Sequence, residues 1–421
     1  MTGATEESRI PVPAESASLD EWLAWLETIH PVSIDMGLER VSEVADRLQL
    51  RPLAKPLILV GGTNGKGSTV AMLSAIYTMA GYKVGAYTSP HIDHFCERIR
   101  INQVMASERD VVDALAFVEA QRAPQTLTYF EYTTLAAMRV FMRHDCDVYL
   151  FEVGLGGRLD ATNLWDADCA VLTSIALDHE SYLGNDLSVI ATEKAAIGRP
   201  GNTLIVGETQ PPESLFEFAK ENNITVEHVG AYEDADLPFT AMSGAHQKRN
   251  AACAVAAVAE LKQVLPVDQQ TLNQALSSAS LSARFERIRV GELEVILDVA
   301  HNPAGAQALS ATWRRELGDQ RAETIFAVLL DKDLDGIVSA LDPIVASWHC
   351  IELDVARANS VKRLADMLIK TGKQRQVLAH QTVGDAWIAA RDAALENERA
   401  ILIAGSFHTI AALRAVIAHD S

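Results

Sequence analysis

The sequence predicts an α/β protein of two units, a larger one on a mostly parallel sheet and a smaller doubly wound one after it. Three observations carry that expectation. The chain has 421 residues, more than one hydrophobic core usually organises. Short apolar runs alternate with helical patterns, as parallel strands joined by crossover helices require. The alternation restarts after the serine-rich stretch "SSASLSARF". The expected organisation is a flexible tail over 1–18, a first unit over 19–281, a linker over 282–291 and a second unit over 292–421.

The tail "MTGATEESRIPVPAESAS" is acidic and has no apolar stretch, so it does not read as a signal peptide. In "LDEWLAWLETIHP", Leu19, Trp22, Leu23, Leu26 and Ile29 recur at helical spacing, Asp20 sits in the first turn and Pro31 closes the element. The tryptophans are expected in the core. "PLILV" (56–60) is a continuous apolar run, the mark of a strand buried on both faces. A helix "GSTVAMLSAIYTMAGY" follows a glycine-rich loop, and "KVGAY" is the second strand. "DVYLFEV" (147–153), "CAVLTSI" (169–175) and "NTLIVG" (202–207) are further strands, separated by helices such as "ERDVVDALAFVEAQ" and "EYTTLAAMRVFMRH". "HQKRNAACAVAAVAELKQVL" is an alanine-rich helix. The second unit offers strands "VILDVA", "TIFAVLL", "WHCIEL", "RQVLAH" and "AILIAG", with helices including "PAGAQALSATWRREL" and "FHTIAALRAVIAH".

Composition removes several classes of function. The formal net charge of -20 repels a nucleic-acid backbone and an anionic membrane alike. A local basic pocket is still compatible with that total. Cys96, Cys146, Cys169, Cys253 and Cys350 are scattered, odd in number and form no C-x-x-C pair. They fit reduced thiols in a cytosol better than a disulfide framework or a zinc site. No apolar run is long enough to span a bilayer. The expected protein is cytoplasmic and monomeric, with neither nucleic acid nor membrane as partner.

The stretch "GGTNGKGST", Gly61 to Thr69, carries the first chemistry. The usual phosphate loop reads G-x-x-x-x-G-K-[ST]. Here Val60 stands at the first glycine position, and Gly67 intervenes between Lys66 and Ser68. The neighbours are nevertheless those of a phosphate loop, a buried strand before and a helix after. Glycines let the backbone approach a ligand, and the amides opening the helix can hold phosphate oxygens. Lys66 supplies a mobile cation, and Ser68 or Thr69 a hydroxyl for Mg²⁺ or phosphate. A tight structural turn is the alternative, but it has no use for a lysine among four glycines.

"GTNGKGS" resembles the ATP loop of the Mur ligase and folylpolyglutamate synthase superfamily, with Gly67 in the folate-branch form. The segments "SPHI" (89–92), "LTYFEYTTL" (127–135), "EVGLGGRLDATN" (152–163), "TSIALDHESYLG" (173–184), "EKAAIG" (193–198), "HQKRN" (246–250), "ARFE" (283–286), "DVAHNP" (298–303) and "GSFHT" (405–409) resemble that family's signatures in the same order. The resemblance covers roughly residues 20–421. It implies a P-loop ATPase-like first domain and a Rossmann-like glutamate-ligase second domain. It also implies ATP-dependent amide formation: a carboxylate attacks the γ-phosphorus of ATP, and the amine of L-glutamate then displaces phosphate from the acyl phosphate. The implied substrates are dihydropteroate and folates, with ATP as co-substrate and Mg²⁺ as cofactor. Nearly every reactant is anionic, so charge neutralisation should dominate catalysis.

Roles follow by position. Glu152 ends a strand, where a carboxylate points into the ligand crevice of a parallel sheet. His179 follows the next strand after Asp178. A helix cap or surface ion pair for Glu152, and a satisfied core histidine for His179, are the plain alternatives. The resemblance implies that Ser89, Glu152 and His179 bind the metal, and that Asn64, Gly65, Lys66, Gly67, Ser68, Asn250, Arg284 and Asp298 bind ATP. It implies a carbamylated Lys194, which requires a neutral amine and hence a lowered pKa; by itself Lys194 reads as a solvated helix lysine. Thr128, Tyr129, Phe130, Glu131, Leu159, Asp160 and Ala161 match segments lining the pterin site, where rings and a carboxylate suit a flat heterocycle. Packing of a helix start is an equal reading for Tyr129 and Phe130. The loop "IDMGLERV" (34–41) is a further candidate for this site. Lys66, Asp298, His301 and Ser406 are the catalytic candidates, His301 near the acyl phosphate and Ser406 near the incoming glutamate. Helix capping is the alternative for Ser406 and for Asn302-Pro303.

Competing functions are a Mur-type peptidoglycan precursor ligase, a monofunctional folylpolyglutamate synthase and a nucleotide-binding regulatory module without turnover. The first usually carries a separate N-terminal domain for its UDP-substrate; only about sixty residues precede the loop here and Gly67 is the folate-branch form, and both count against it. The last has no use for Glu152, His179, Asp298 and His301. "GLGGR" also hints at a dinucleotide fingerprint, but Leu159 stands where its last glycine belongs.

Overall fold

A computed structural model of the protein describes residues 11–370 and 375–418. The first ten residues of the expected tail lie outside the described residues, and Ser18 at its end caps the first helix, Leu19–Leu26. That helix buries Trp22 and Trp25 as expected, and its last turn closes at Glu27, ahead of Pro31.

The first unit is an eight-stranded sheet. In chain order its strands are β1 (Leu57–Gly61), β2 (Val84–Tyr87), β3 (Ile99–Ile101), β4 (Val104–Met105), β5 (Val148–Glu152), β6 (Cys169–Leu172), β7 (Thr203–Val206) and β8 (Thr225–Glu227). They lie in the order β4-β3-β2-β5-β1-β6-β7-β8. All pairings are parallel except β2 with β3 and β3 with β4. The central strand shows why its sequence is continuously apolar. Leu57 and Leu59 enter the core on one face, Ile58 and Val60 the core on the other. Each such fully buried side chain is worth roughly 1.5–3 kcal/mol of transfer free energy. The helix Lys66–Met79 packs on the second face beside Ala245–Glu260, where Ala251, Ala254 and Ala257 are fully buried and leave room for close contact.

The second unit is a six-stranded sheet with its own core. Its strands are β9 (Glu286–Val290), β10 (Leu293–Asp298), β11 (Ala322–Phe326), β12 (Val345–Cys350), β13 (Gln376–Ala379) and β14 (Ile401–Ala404), in the order β13-β12-β11-β14-β10-β9. Here the expected boundary needs correction. Residues 286–290, taken as linker from the sequence, form β9 and pair antiparallel with β10. The strand is an edge strand, half exposed, with Arg287 paired to Glu294 across the ladder at 2.5 Å. Its alternating charges protect the edge, and they also hid the strand among polar residues.

Register decides where chemistry collects. Val60 lies beside Glu152 of β5 and Val171 of β6, so these three strands end level. In the second sheet Asp298, Ala404 and Phe326 lie side by side at the ends of β10, β14 and β11. The loops leaving both sets of strand ends meet.

Candidate active site between the two sheets

The meeting point is a cavity of about 650 Å³ lined by residues of both units. Residues 62–68, the glycine-rich loop and the start of the helix after it, line one wall. Gly65 begins the helix Lys66–Met79 with φ +90°, and a Cβ there would lie 2.4 Å from Asn250 Oδ1. The position therefore demands glycine for conformation and for space. The loop is tied to the end of β6: Thr173 Oγ1 donates to Asn64 O at 2.7 Å, and Asn64 N donates to Ser174 Oγ at 2.9 Å. Lys66 folds back and donates from Nζ to the carbonyls of Gly62 and Thr63 at 2.9 and 3.1 Å. Burial lowers its pKa, against the pull of Glu152 and Asp178.

Glu152 is buried at the end of β5, and its Oε2 accepts from the amide of Ser89 at 3.1 Å. Burial raises its pKa, opposed chiefly by Lys66. Ser68 Oγ is buried and has no hydrogen-bond partner, whereas Thr69 Oγ1 bonds back to Gly65 O at 3.1 Å. Ser68, not Thr69, thus has a hydroxyl to give. His179 stands in a left-handed conformation (φ +53°), and burial lowers its pKa to about 4, so its ring is neutral near pH 7. Among the described residues no three His, Cys, Asp or Glu side chains are placed to hold a metal. Two of the donors here, Glu152 and His179, belong to those types, and serine hydroxyls at 68 and 89 line the same cavity. This oxygen-rich set with one neutral imidazole and an orphaned buried hydroxyl fits a divalent cation such as Mg²⁺.

Lys194 is 5 % exposed, and its Nζ donates to Gly62 O at 3.3 Å, an acceptor it shares with Lys66. Burial, and then the neighbouring Lys66 charge, lower its pKa to about 7. It is not the solvated lysine that the local sequence also allows.

From the second unit, Asp298 accepts from the amides of Phe285 and Ala300 at 2.8 and 2.9 Å. Burial raises its pKa and the adjacent Arg284 opposes the rise. Arg284 itself lies over the Phe407 ring at 5.5 Å. Asn250 is buried and donates to Gln247 Oε1 at 2.9 Å. Both ring nitrogens of His301 face acceptors, Nδ1 the carbonyl of Val299 at 2.8 Å and Nε2 the carboxylate of Asp178 at 3.4 Å. Ser406 and Asn302 serve as helix caps, accepting from Thr409 N and Gly305 N at 3.0 and 2.8 Å. Ser406 lines the cavity as well, so capping and site placement are both true of it, whereas Asn302 reaches the site through its bonds to Asn64 and Asp178.

Sequence reasoning passed over the groups that join the two units. Asp178 accepts from Lys332 Nζ at 2.6 Å and from Asn302 Nδ2 at 3.1 Å, besides facing His301. Asn302 and Asn64 exchange amide hydrogen bonds of 3.0 and 3.1 Å between the units. Burial would raise the Asp178 pKa, but the His301 hydrogen bond and the Lys332 ammonium hold it well below the usual carboxylate range. Lys332 follows β11 just as His179 follows β6, so the strand-end rule could have found it in "LLDKD".

At the other end of the cavity stand Thr128, Phe130, Glu131, Leu159, Asp160 and Ala161, with loop residues 33–36. Tyr129 does not join them. It turns to the core, edge-on to Phe95 at 6.3 Å and under the Arg98 guanidinium at 5.7 Å. Adjacent helical residues point about 100° apart, and here Phe130 and Glu131 turn toward the cavity while Tyr129 turns away from it. Asp160 has its carboxylate taken by the amides of Leu155 and Thr162 and by the Thr162 hydroxyl, which makes it a turn former at the cavity wall.

Residues 60–266 match the Mur ligase middle domain family, and residues 283–407 match the Mur ligase glutamate ligase domain. The chain is 38 % identical over 418 residues to the dihydrofolate synthase/folylpolyglutamate synthase of Escherichia coli, covering 96 % of this chain and 97 % of the relative. Its structure is similar to that of Escherichia coli FolC in complex with DHPP and ADP, with TM-score 0.89 and 37 % identity over 97 % of this chain and 100 % of the other. It is also similar to a bifunctional folylpolyglutamate synthase/dihydrofolate synthase with Mn, AMPPNP and L-glutamate bound, with TM-score 0.84 and 34 % identity over 97 % and 100 % of the two chains.

Proposed function

The chain belongs to the dihydrofolate synthase/folylpolyglutamate synthase family of Mur ligases, and on that premise we propose how its cleft joins L-glutamate to pteroyl substrates. It is an ATP-dependent acid–amino-acid ligase that adds L-glutamate to 7,8-dihydropteroate and to tetrahydrofolate polyglutamates, giving ADP and phosphate. The observation that carries the residue assignment is the single cavity in which the phosphate loop, Glu152 and His179 of one unit face Asp298, His301 and Ser406 of the other.

The 64–68 amides and Lys66 hold the nucleotide phosphates, while Asn250, Arg284 and Asp298 bind the rest of ATP. A phosphate competes well for Lys66, because its present acceptors are neutral carbonyls. Ser68, Ser89, Glu152 and His179 would hold Mg²⁺, which neutralises phosphate charge and so favours attack by the pteroyl carboxylate. Phe130, Leu159 and Ala161 offer apolar surface to the pterin. Once the pteroyl carboxylate carries the γ-phosphoryl group, the glutamate amine attacks its carbonyl carbon, an amine proton is lost, and phosphate leaves with the carboxylate oxygen. His301 and Ser406 are placed to orient that amine and its carboxylates. Walls from both units limit the access of water, which would otherwise hydrolyse the acyl phosphate. A cytoplasmic location and a monomeric state complete the proposal; the five cysteines are free and buried, and no helix of the described residues is long and apolar enough to cross a membrane.

A substrate panel tests the assignment: phosphate release should require dihydropteroate or tetrahydrofolate together with glutamate and ATP. Turnover with UDP-muramyl peptides instead would contradict it. Glu152→Gln should lower metal-dependent turnover by about a hundredfold and weaken activation by magnesium, read from a magnesium titration; a titration matching the parent would remove Glu152 from the metal site.

Lys194 carries a second expectation. Carbamate formation needs the neutral amine, and a pKa of about 7 makes that form abundant just above neutrality. The intact protein should gain the mass of one carbon dioxide in bicarbonate at about pH 8 and lose it at about pH 6. Lys194→Arg should never gain it. An unchanged mass in the parent under both conditions would contradict carbamylation.

A further inference from the structure

We propose that Arg40 is a positioning residue for the pteroyl substrate, acting by clamping the 33–36 loop to the start of the helix Tyr129–Arg143. The inference rests on the functional reading above, which puts the pterin at this end of the cavity. The loop has no regular structure of its own, yet Ser33, Ile34, Asp35 and Met36 line the cavity. Something else must hold it in place.

Arg40 does so with one guanidinium. Its Nε donates to Glu131 Oε2 at 3.0 Å, and its Nη1 donates to Asp35 Oδ2 at 2.6 Å. Nη2 reaches the backbone carbonyl of Asp35 and lies 2.9 Å from Glu131 Oε1, close enough for an ion pair though off the line of a hydrogen bond. Arg40 does not itself line the cavity. Its polar atoms are spent on protein groups, so any effect on substrate passes through what it holds. A planar, forked cation holds two carboxylates and a carbonyl at once in a fixed mutual geometry, which a single ammonium nitrogen does not.

The far end of the clamp is a helix cap that bears on the site. Glu131 Oε2 also accepts from Thr128 N and Thr128 Oγ1 at 2.8 and 2.9 Å. Glu131 is 3 % exposed, and Arg40 is the cation that pairs with it. Removing Arg40 would leave a buried carboxylate without its counter-charge, one residue from Phe130. Phe130 sits so close over Gly154 that a Cβ there would lie 2.6 Å from its ring. A second fastening supports the first: His30 lies 3.3 Å from Asp35 Oδ2 and 2.9 Å from Thr126 Oγ1. The loop therefore adds Ile34 and Met36 to the wall that already contains Phe130, and an apolar wall of fixed shape is what a flat ring requires.

The test is steady-state kinetics with dihydropteroate and ATP varied separately, on Arg40→Gln, Arg40→Lys and Asp35→Ala, with a thermal melt of each. Arg40→Gln should raise KM for dihydropteroate about 10- to 100-fold and leave KM for ATP and kcat within about twofold. Arg40→Lys should recover only part of the loss, because a point charge cannot replace the fork. Asp35 is an exposed loop residue, so Asp35→Ala decides the matter should Arg40→Gln fold poorly; it should raise the same KM without moving Tm. An unchanged KM for dihydropteroate in folded variants, or a parallel rise in KM for ATP, overturns the proposal. A parent enzyme without dihydropteroate-dependent turnover overturns the functional reading instead, and this inference with it.

Discussion

Lys66→Ala abolishes ATP turnover and leaves the fold intact. The expected loss in kcat is about a thousandfold or more, ~4 kcal/mol of transition-state stabilisation. The size follows from position. Lys66 is the first residue of the helix that follows the loop, and its ammonium lies among loop carbonyls beside Glu152 and Lys194. Lys194 replaces it only in part, because a pKa of about 7 leaves much of its amine uncharged near pH 7 and its Nζ is held on Gly62 O. The fold should survive because Lys66 makes no buried ion pair, only two hydrogen bonds to carbonyls three and four residues away. Circular dichroism and the ligase assay on one preparation check both halves. Ligase activity near that of the parent would remove the phosphate-loop assignment.

Asp178→Ala should nearly match that loss by a different route. Asp178 and Lys332 each show 8 % side-chain exposure, so their 2.6 Å ion pair is shielded from water. Removing the carboxylate leaves the buried Lys332 ammonium with Asp331, at 3.8 Å, as its remaining carboxylate and withdraws one partner each from His301 and Asn302, at a cost of up to about 3–5 kcal/mol. Much of that should appear as looser docking of the two units, with ligation slowed about a hundredfold or more. The carboxylate has a lowered pKa, so its contribution is present above the unfolded value near pH ~4 and is lost only on further acidification. The variant should therefore be impaired equally at about pH 6 and about pH 8. Small-angle scattering with ATP bound, alongside ligation rates, checks the two parts. A compact variant with parental rates would mean that Asp178 does not hold the cleft closed.

The parts of the site legible in sequence are those that sit at the ends of parallel strands. Glu152, His179, Asp298 and Ser406 each follow an apolar run, and register brings such ends together. Lys66 and its glycines were legible because a phosphate loop needs that order of residue types. What stayed hidden depends on contacts between distant segments. The bonds from Asn302 to Asn64 and to Asp178 join residues 238 and 124 positions apart, and no local pattern encodes them. The segment 34–41 that contains Arg40 was legible as a candidate, but the pairing of Arg40 with Glu131 was hidden for the same reason, since the two lie 91 residues apart. Tyr129 and Phe130 show a different limit: residue type suits both to a ring-binding site, but the turn of the helix sends only one there. β9 was missed because its charged face, which keeps an edge strand from pairing further, reads like a linker.

The central claim is that the cleft activates a pteroyl carboxylate as an acyl phosphate and delivers it to glutamate. Dihydropteroate labelled with heavy oxygen in its carboxylate tests this most directly, with ATP, magnesium, glutamate and the parent enzyme. One labelled oxygen should pass to each phosphate released, with one amide formed per phosphate. Phosphate released without label, or without amide, would contradict it.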